Sequence, residues 1–134
     1  MNKKLLSQIE LESDFQRLEF LGDSVFGLVV TDYIFERFPQ EREGFLTKLR
    51  SRLINNNIMK TFCTDLGWQK YNKNNKNLAD LFESIVGAFY KKKGYKKTYK
   101  FLVTFLLEAK VNWAEILISI KKWSSLDFYE IRGL

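Results

Sequence analysis

The sequence predicts an all-α protein, and three observations lead to this class. Apolar residues recur at intervals of three and four along most of the chain, which is the spacing of one helix face. No segment of useful length alternates apolar and polar residues as a half-buried strand would. The 134 residues include one proline, so long uninterrupted helices are permitted. We expect a single helical domain over 1–134, with an additional helical tail over 111–134.

The first half of the chain is expected to form three helices. The segment 16–38 is the longest, it ends at Phe38-Pro39, and its apolar face comprises Leu18, Leu21, Val25, Leu28 and Val29. The polar segment 39–44 is a loop. A helix over 45–55 follows with basic residues toward solvent, and a third helix over 57–66 ends at Gly67.

Three more helices are expected after an Asn-rich polar loop at 71–77. The helix 78–93 ends before Gly94, a residue that breaks the chain ahead of an amphipathic helix at 95–110. A last helix at 112–122 has an apolar face that includes Trp113. In the run "KKKGYKKTYK" at 91–100, the lysines form a basic patch and the two tyrosines are expected to pack.

The composition narrows the possible chemistry. The formal net charge is +6, which indicates either a polyanionic partner or a merely lysine-rich surface. The sequence contains no histidine, which excludes Ser-His-Asp triads and His-ligated zinc. The single cysteine, Cys63, has apolar neighbours and is expected to be a core thiol. Neither a signal peptide nor a membrane span is expected, and a cytoplasmic location is predicted, with nucleus and organelles left open.

Two pairs of acids interrupt otherwise apolar helices. Glu19 and Asp23 are four residues apart and share a helix face, as do Asp80 and Glu83, three residues apart. Small residues accompany both pairs and would allow the two helices to cross closely; they are Gly22, Gly27, Ser84, Gly87 and Ala88. Such a crossing would bring together four carboxylates, and oxygen-only ligands suit Mg²⁺ or Mn²⁺. The spacing alone leaves two readings open, a metal site and an ordinary amphipathic surface.

Three segments resemble motifs of the ribonuclease III family. "RLEFLGDS" (17–24) is similar to the family signature, "EGFLTKLRSRLINN" (43–56) resembles the segment that follows it, and "LADLFESIVGAFY" (78–90) resembles the second acidic motif. They occur in family order and cover about 15–110. The resemblance implies an all-α, ribonuclease III-like endonuclease domain that dimerises and hydrolyses double-stranded RNA with Mg²⁺, for which Mn²⁺ can substitute. The products would carry 5′-phosphates, 3′-hydroxyls and short 3′ overhangs.

Site residues follow from the motifs. The resemblance implies that Glu19, Asp23, Asp80 and Glu83 are the catalytic, metal-binding carboxylates. Phe20 matches the aromatic residue that reaches into the partner subunit, and with Leu21 it is assigned to the homodimer interface. Candidate RNA contacts are polar or charged residues near the motifs, namely Gln16, Glu43, Lys48, Arg50, Arg52 and Asn55.

Departures from the family pattern keep a second reading open. Gln16 replaces an acid that family members usually carry, the N-terminal segment 5–15 is shortened, and 112–134 is too short for a double-stranded-RNA-binding domain. The tail is expected to pack as a helix or to dock on another protein. The alternative function is a weakly active or inactive RNA-binding or assembly subunit of a ribosomal or RNA-processing complex. An unrelated helical bundle with a structural cation is a third reading.

Overall fold

The structure is a computed structural model that describes residues 14–72 and 75–120. Its helices are α1 (Phe15–Arg37), α2 (Glu43–Leu53), α3 (Asn56–Asp65), α4 (Leu78–Lys93) and α5 (Tyr95–Leu102). A short 3-10 helix spans Trp68–Tyr71, a π-helical turn over Val103–Leu107 extends α5, and 113–120 is helical. The described residues contain no strand, and the all-α prediction is confirmed.

The predicted helices lie within a few residues of the observed ones, and two details differ. The sequence reading missed the 3-10 helix, whose Trp68 is buried against Phe82. The predicted helix 95–110 is interrupted by the π-helical turn at Val103–Leu107. The predictions for the tail over 121–134 and for the shortened N-terminal segment up to residue 13 lie outside the described residues.

The core forms where α1 and α4 pack along each other, with α3 beside α4. Its centre is a cluster of edge-to-face and tilted rings from Phe26, Phe62 and Phe82, one from each of these helices. Leu28, which the periodicity placed on the core face of α1, is 54% exposed, so that prediction was wrong. Val25 and Val29 of the predicted face are buried as expected, and Phe26 and Val30 are buried beside them, because α4 contacts this side of α1 and leaves Leu28 outside the contact.

Trp113 anchors the last described helix to α1. Its ring stacks on Tyr33 at a centroid distance of 5.9 Å, and the Arg37 guanidinium lies 4.3 Å from the ring centroid. The indole Nε1 donates a hydrogen bond of 2.6 Å to the carbonyl oxygen of Leu107, at the end of the π-helical turn. No helix among the described residues is long and apolar enough to cross a membrane.

Candidate metal centre

The site is built where two glycines let α1 and α4 touch backbone to backbone. A Cβ atom on Gly22 would overlap the carbonyl oxygen of Glu83, and one on Gly87 would overlap the carbonyl oxygen of Leu18. The close crossing predicted from small residues is therefore found at this pair. Gly27 has no atom within 4 Å of its missing Cβ and takes no part in the crossing, so its assignment there was wrong.

A hydrogen bond between the helices holds the same crossing. The hydroxyl of Ser84, fully buried, donates a hydrogen bond of 3.0 Å to the carbonyl oxygen of Phe15 in the first turn of α1. Asn77 begins α4 because its side-chain oxygen accepts a hydrogen bond of 2.8 Å from the Ala79 amide. The turn that carries Asp80 and Glu83 is thereby fixed against the turn that carries Glu19.

The crossing brings the predicted carboxylates together. Carboxylate oxygens of Glu19, Asp80 and Glu83 all lie within 4.8 Å of one another. Asp23 is exposed and joins this group through Glu83, to which it is hydrogen-bonded, while Glu19 is hydrogen-bonded to Asp80. The arrangement is a compact triad with a fourth acid beside it.

Burial and mutual repulsion disfavour charge on this group. Glu83 is only 7% exposed, and its pKa rises to about 8 because burial removes water from its charged form, with further contributions from Asp23, Glu19 and Asp80. The pKa of Glu19 is also raised, mainly by burial and then by Asp80. At neutral pH a bound cation would therefore favour the fully charged form of the triad.

The donor set fits a hard divalent cation. All candidate ligands are carboxylate oxygens, which Mg²⁺ and Mn²⁺ accept, whereas zinc sites usually use His or Cys. Cys63 is buried in the core, and burial raises the pKa of its thiol to about 11, so it offers no thiolate ligand. The glutamates and Asp80 could hold the ion directly, and Asp23 could hold it or a water molecule next to it.

The sequence reading missed Lys76 as a neighbour of the carboxylates. The charge of Lys76 lowers the pKa of Glu19, which partly opposes the effect of burial. Asn72 fixes the lysine backbone through two hydrogen bonds, one of 2.8 Å from the Lys76 amide and one of 2.6 Å to its carbonyl oxygen. No spacing in the sequence marks this neighbour, because Lys76 lies in the loop before α4 and acts on Glu19 through space.

The residues assigned to RNA contact occupy four separate places. Gln16 is exposed and lines a groove of about 520 Å³ together with Arg17, Phe20, Leu21 and Lys91. Glu43 and Arg50 line a second groove, next to α1, and Lys48 and Arg52 line a third beside Ile120. Asn55 caps α3, since its side-chain oxygen accepts a hydrogen bond of 2.9 Å from the Ile58 amide. The structure thus spreads these residues over α1, α2 and the start of α3.

An exposed apolar row runs along α1. Phe20, Leu28 and Phe35 are 79%, 54% and 64% exposed, and their spacing of eight and seven residues places them on one helix face. Leu21, also assigned to a dimer interface, is half-buried and packs against the core while lining the groove beside Phe20. Three large apolar side chains on one face form a row that a partner surface could cover.

Comparisons with known proteins point to one family. Residues 16–94 match the family described as Ribonuclease III domain. The chain is 38% identical over 120 residues to "Probable ribonuclease 3" of Acanthamoeba polyphaga mimivirus, an alignment that covers 84% of this chain and 22% of the relative. It is 38% identical over 101 residues to "Ribonuclease 3" of Oenococcus oeni, which covers 66% of this chain and 44% of that protein. The chain thus spans less than half the length of either curated relative.

A solved structure agrees in fold. The nuclease domain of ribonuclease III from Campylobacter jejuni superposes with a TM-score of 0.69 at 28% sequence identity, covering 81% of this chain and 89% of that domain. The description of that structure refers to flexibility in a region involved in dimer formation. The matched segment holds both pairs of acids and the glycines of the crossing, and this chain belongs to the ribonuclease III family.

Proposed function

We propose that this chain is a Mg²⁺-dependent endoribonuclease that hydrolyses double-stranded RNA. The observation that carries the proposal is the convergence of Glu19, Asp80 and Glu83 within 4.8 Å, in a chain of the ribonuclease III family. Membership of the family alone would also fit a relative that has lost its catalytic activity. The triad favours a working site, because carboxylates brought this close together at a partly buried place are costly unless a cation compensates them.

Each acid has a role that follows from its position. Glu19, Asp80 and Glu83 would hold the cation at the scissile phosphate, and the exposed Asp23 would orient a water molecule toward the phosphorus. A bound divalent cation supplies Lewis-acid stabilisation of the charge that develops on the phosphate and on the leaving oxygen. The carboxylates are held by helix backbones in direct contact, so little reorganisation is needed during the reaction. Products with 5′-phosphates and 3′-hydroxyls follow if the 3′-oxygen leaves.

Cleavage of both strands requires two such sites, and a homodimer supplies them. The exposed row of Phe20, Leu28 and Phe35 supports a second copy as the partner, since a two-fold pair would cover this row on both subunits. With two sites at a fixed separation, the cuts would be staggered and would leave short 3′ overhangs. A basic protein surface suits the backbone of A-form RNA, which is recognised mainly through shape and phosphates.

The test compares cleavage by the unchanged chain with cleavage by Glu83→Gln. We expect Mg²⁺-dependent cutting of a long RNA duplex into short duplexes, and a loss of at least a hundredfold in rate for Glu83→Gln. The control is Glu108→Gln, the same change at an exposed acid at the end of the π-helical turn, which should cut at the unchanged rate. Absence of cutting with either Mg²⁺ or Mn²⁺, with RNA binding retained, would favour the alternative of an RNA-binding or assembly subunit.

A further inference from the structure

A cluster of exposed lysines lies at the junction of α4 and α5. We define the lysine patch as Lys91, Lys92, Lys93, Lys96, Lys97 and Lys100, all of them exposed. No acid occurs between residues 91 and 100, and no ion pair between described residues involves any of the six. The patch is therefore a local concentration of positive charge whose lysines form no ion pair within the described part of the chain.

The scaffold under the patch is well fixed. Gly94 has a φ of 83°, a left-handed conformation that lets the chain turn sharply from α4 into α5. Tyr95 donates a hydrogen bond of 2.7 Å from its hydroxyl to Asp32 on α1, and buried Thr98 donates one of 2.7 Å to the Gly94 carbonyl oxygen. Tyr95, Thr98 and Tyr99 face the core, as expected for the tyrosines, so the lysines between them must point to solvent.

Helix electrostatics accounts for four of the six lysines. Lys91, Lys92 and Lys93 occupy the last turn of α4, and Lys100 lies in the last turn of α5, where positive charge interacts favourably with the helix dipole. Lys96 and Lys97 lie in the first turn of α5, where the helix dipole repels positive charge and acidic residues would be preferred. That turn contains no acidic residue. Lys96 and Lys100 also form a like-charged pair four residues apart. Helix stability does not explain Lys96 and Lys97, which leaves these two lysines available for binding.

One end of the patch lies on the same helix as two of the site carboxylates. Lys91 lines the groove that also contains Gln16, Arg17 and Phe20, next to the turn of α1 that carries Glu19. Along α4, Lys91 follows Glu83 by eight residues, which corresponds to about 12 Å. A strand whose scissile phosphate lies at the triad can therefore reach Lys91, the nearest lysine of the patch along α4, within a few nucleotides.

We propose that the lysine patch is a second RNA-binding surface of this chain, which binds phosphates of the duplex beside the cut. The inference rests on the proposed function, since it takes double-stranded RNA as the partner. Contacts of this kind contribute affinity without sequence preference and release counterions, so their effect is read most directly from the salt dependence of binding.

The experiment measures binding of an RNA duplex of about 30 base pairs by fluorescence anisotropy in EDTA, between 50 and 200 mM KCl. The variant is K96Q/K97Q, and the control K70Q/K110Q removes two exposed lysines elsewhere. We expect K96Q/K97Q to bind roughly tenfold more weakly and the slope of log K against log salt to become shallower by one to two, with the control unchanged. The melting temperature of K96Q/K97Q should stay level or rise by roughly 1–3 °C, because the opposing charges leave the helix N-terminus.

Several outcomes would overturn the inference. Equal affinity and equal salt slope for both double variants would assign the patch to another acidic partner or to solvent. A lower melting temperature for K96Q/K97Q would show that the lysines stabilise the fold. The result is separable from the proposed function, because binding is measured without metal. A chain that cuts RNA with unchanged K96Q/K97Q binding would refute the inference alone, and patch-dependent binding without any cutting would refute the nuclease alone.

Discussion

The substitution Gly22→Ala tests whether the helix crossing creates the candidate metal centre. A Cβ at this position would overlap the carbonyl oxygen of Glu83 and lie 2.9 Å from the amide nitrogen of Gly87. Both neighbours are backbone atoms of α4, so no side chain can rotate away, and the helices must separate. A gap of about 1 Å already forfeits a quarter to a half of the dispersion energy of the contacts across it.

The magnitude follows from two opposing effects. Overpacking of a well-packed helix interface typically costs up to about 3 kcal/mol, and replacing glycine by alanine inside a helix recovers about 0.5–1 kcal/mol. We therefore expect a loss of about 2 kcal/mol in the free energy of unfolding, which corresponds to a drop of roughly 6–10 °C in melting temperature for a chain of this size. Because metal–ligand distances tolerate only about 0.2 Å, separation of α1 from α4 should also weaken Mg²⁺ binding at least tenfold.

Thermal unfolding followed by circular dichroism, with and without Mg²⁺, measures both effects. The matched control is Gly44→Ala, in the first turn of α2, where a Cβ meets nothing within 4 Å and where stability should stay level or rise. Gly27→Ala is a poorer control because Gly27 lies near the exposed apolar row. If Gly22→Ala melts within 2 °C of the unchanged chain and keeps its Mg²⁺-induced stabilisation, the argument from the close crossing is refuted.

Three further predictions concern pH, association and the last described helix. The pKa of Glu83 is about 8 in the folded chain against 4.5 as its ordinary value, so the metal-free protein should lose stability as pH rises from about 4.5 to 8. Thermal melting in EDTA should show this loss, and Mg²⁺ should reverse it at pH 8. Glu83→Gln should flatten the dependence of melting temperature on pH. A flat dependence for the unchanged chain would contradict the pKa argument. Phe20→Ser should weaken self-association at least tenfold, measured by sedimentation, and should change the free energy of unfolding by less than about 0.5 kcal/mol. The control Ile118→Ser changes another exposed apolar residue and should leave self-association unchanged. Trp113→Ala should cost about 2–4 kcal/mol in urea unfolding, because it removes the Tyr33 stack, the Arg37 contact and the Leu107 hydrogen bond; a loss under 0.5 kcal/mol would mean that the helix at 113–120 is not anchored there.

The local spacing of apolar and acidic residues was sufficient to predict the helices and to predict which acids share a helix face. The interval from Glu19 to Asp23 and that from Asp80 to Glu83 fix a shared face once the segment is helical, whatever surrounds it. The single proline and the glycines at 67 and 94 marked helix ends, because their backbone preferences act locally. The three motif sequences then identified the family.

Spacing could not decide which side of a helix meets which neighbour. Gly22 and Gly27 look equivalent in sequence, yet only Gly22 contacts α4, because the crossing point depends on how both helices pack over the Phe26, Phe62 and Phe82 cluster. For the same reason Leu28 was placed in the core and proved to be exposed. The effect of Lys76 on the pKa of Glu19 could not be predicted from the sequence, because the lysine acts through space from a loop held by Asn72.

By itself, the sequence determined a helical chain of the ribonuclease III family with two pairs of acids on two helix faces. Only the tertiary structure decided that three of those acids share one site within 4.8 Å, that burial raises the pKa of Glu83, and that α1 presents an apolar row to solvent. The physical reason is the sequence distance over which each property is set. Helix faces follow from the backbone period over a few residues, whereas distances between carboxylates depend on contacts between segments about 60 residues apart.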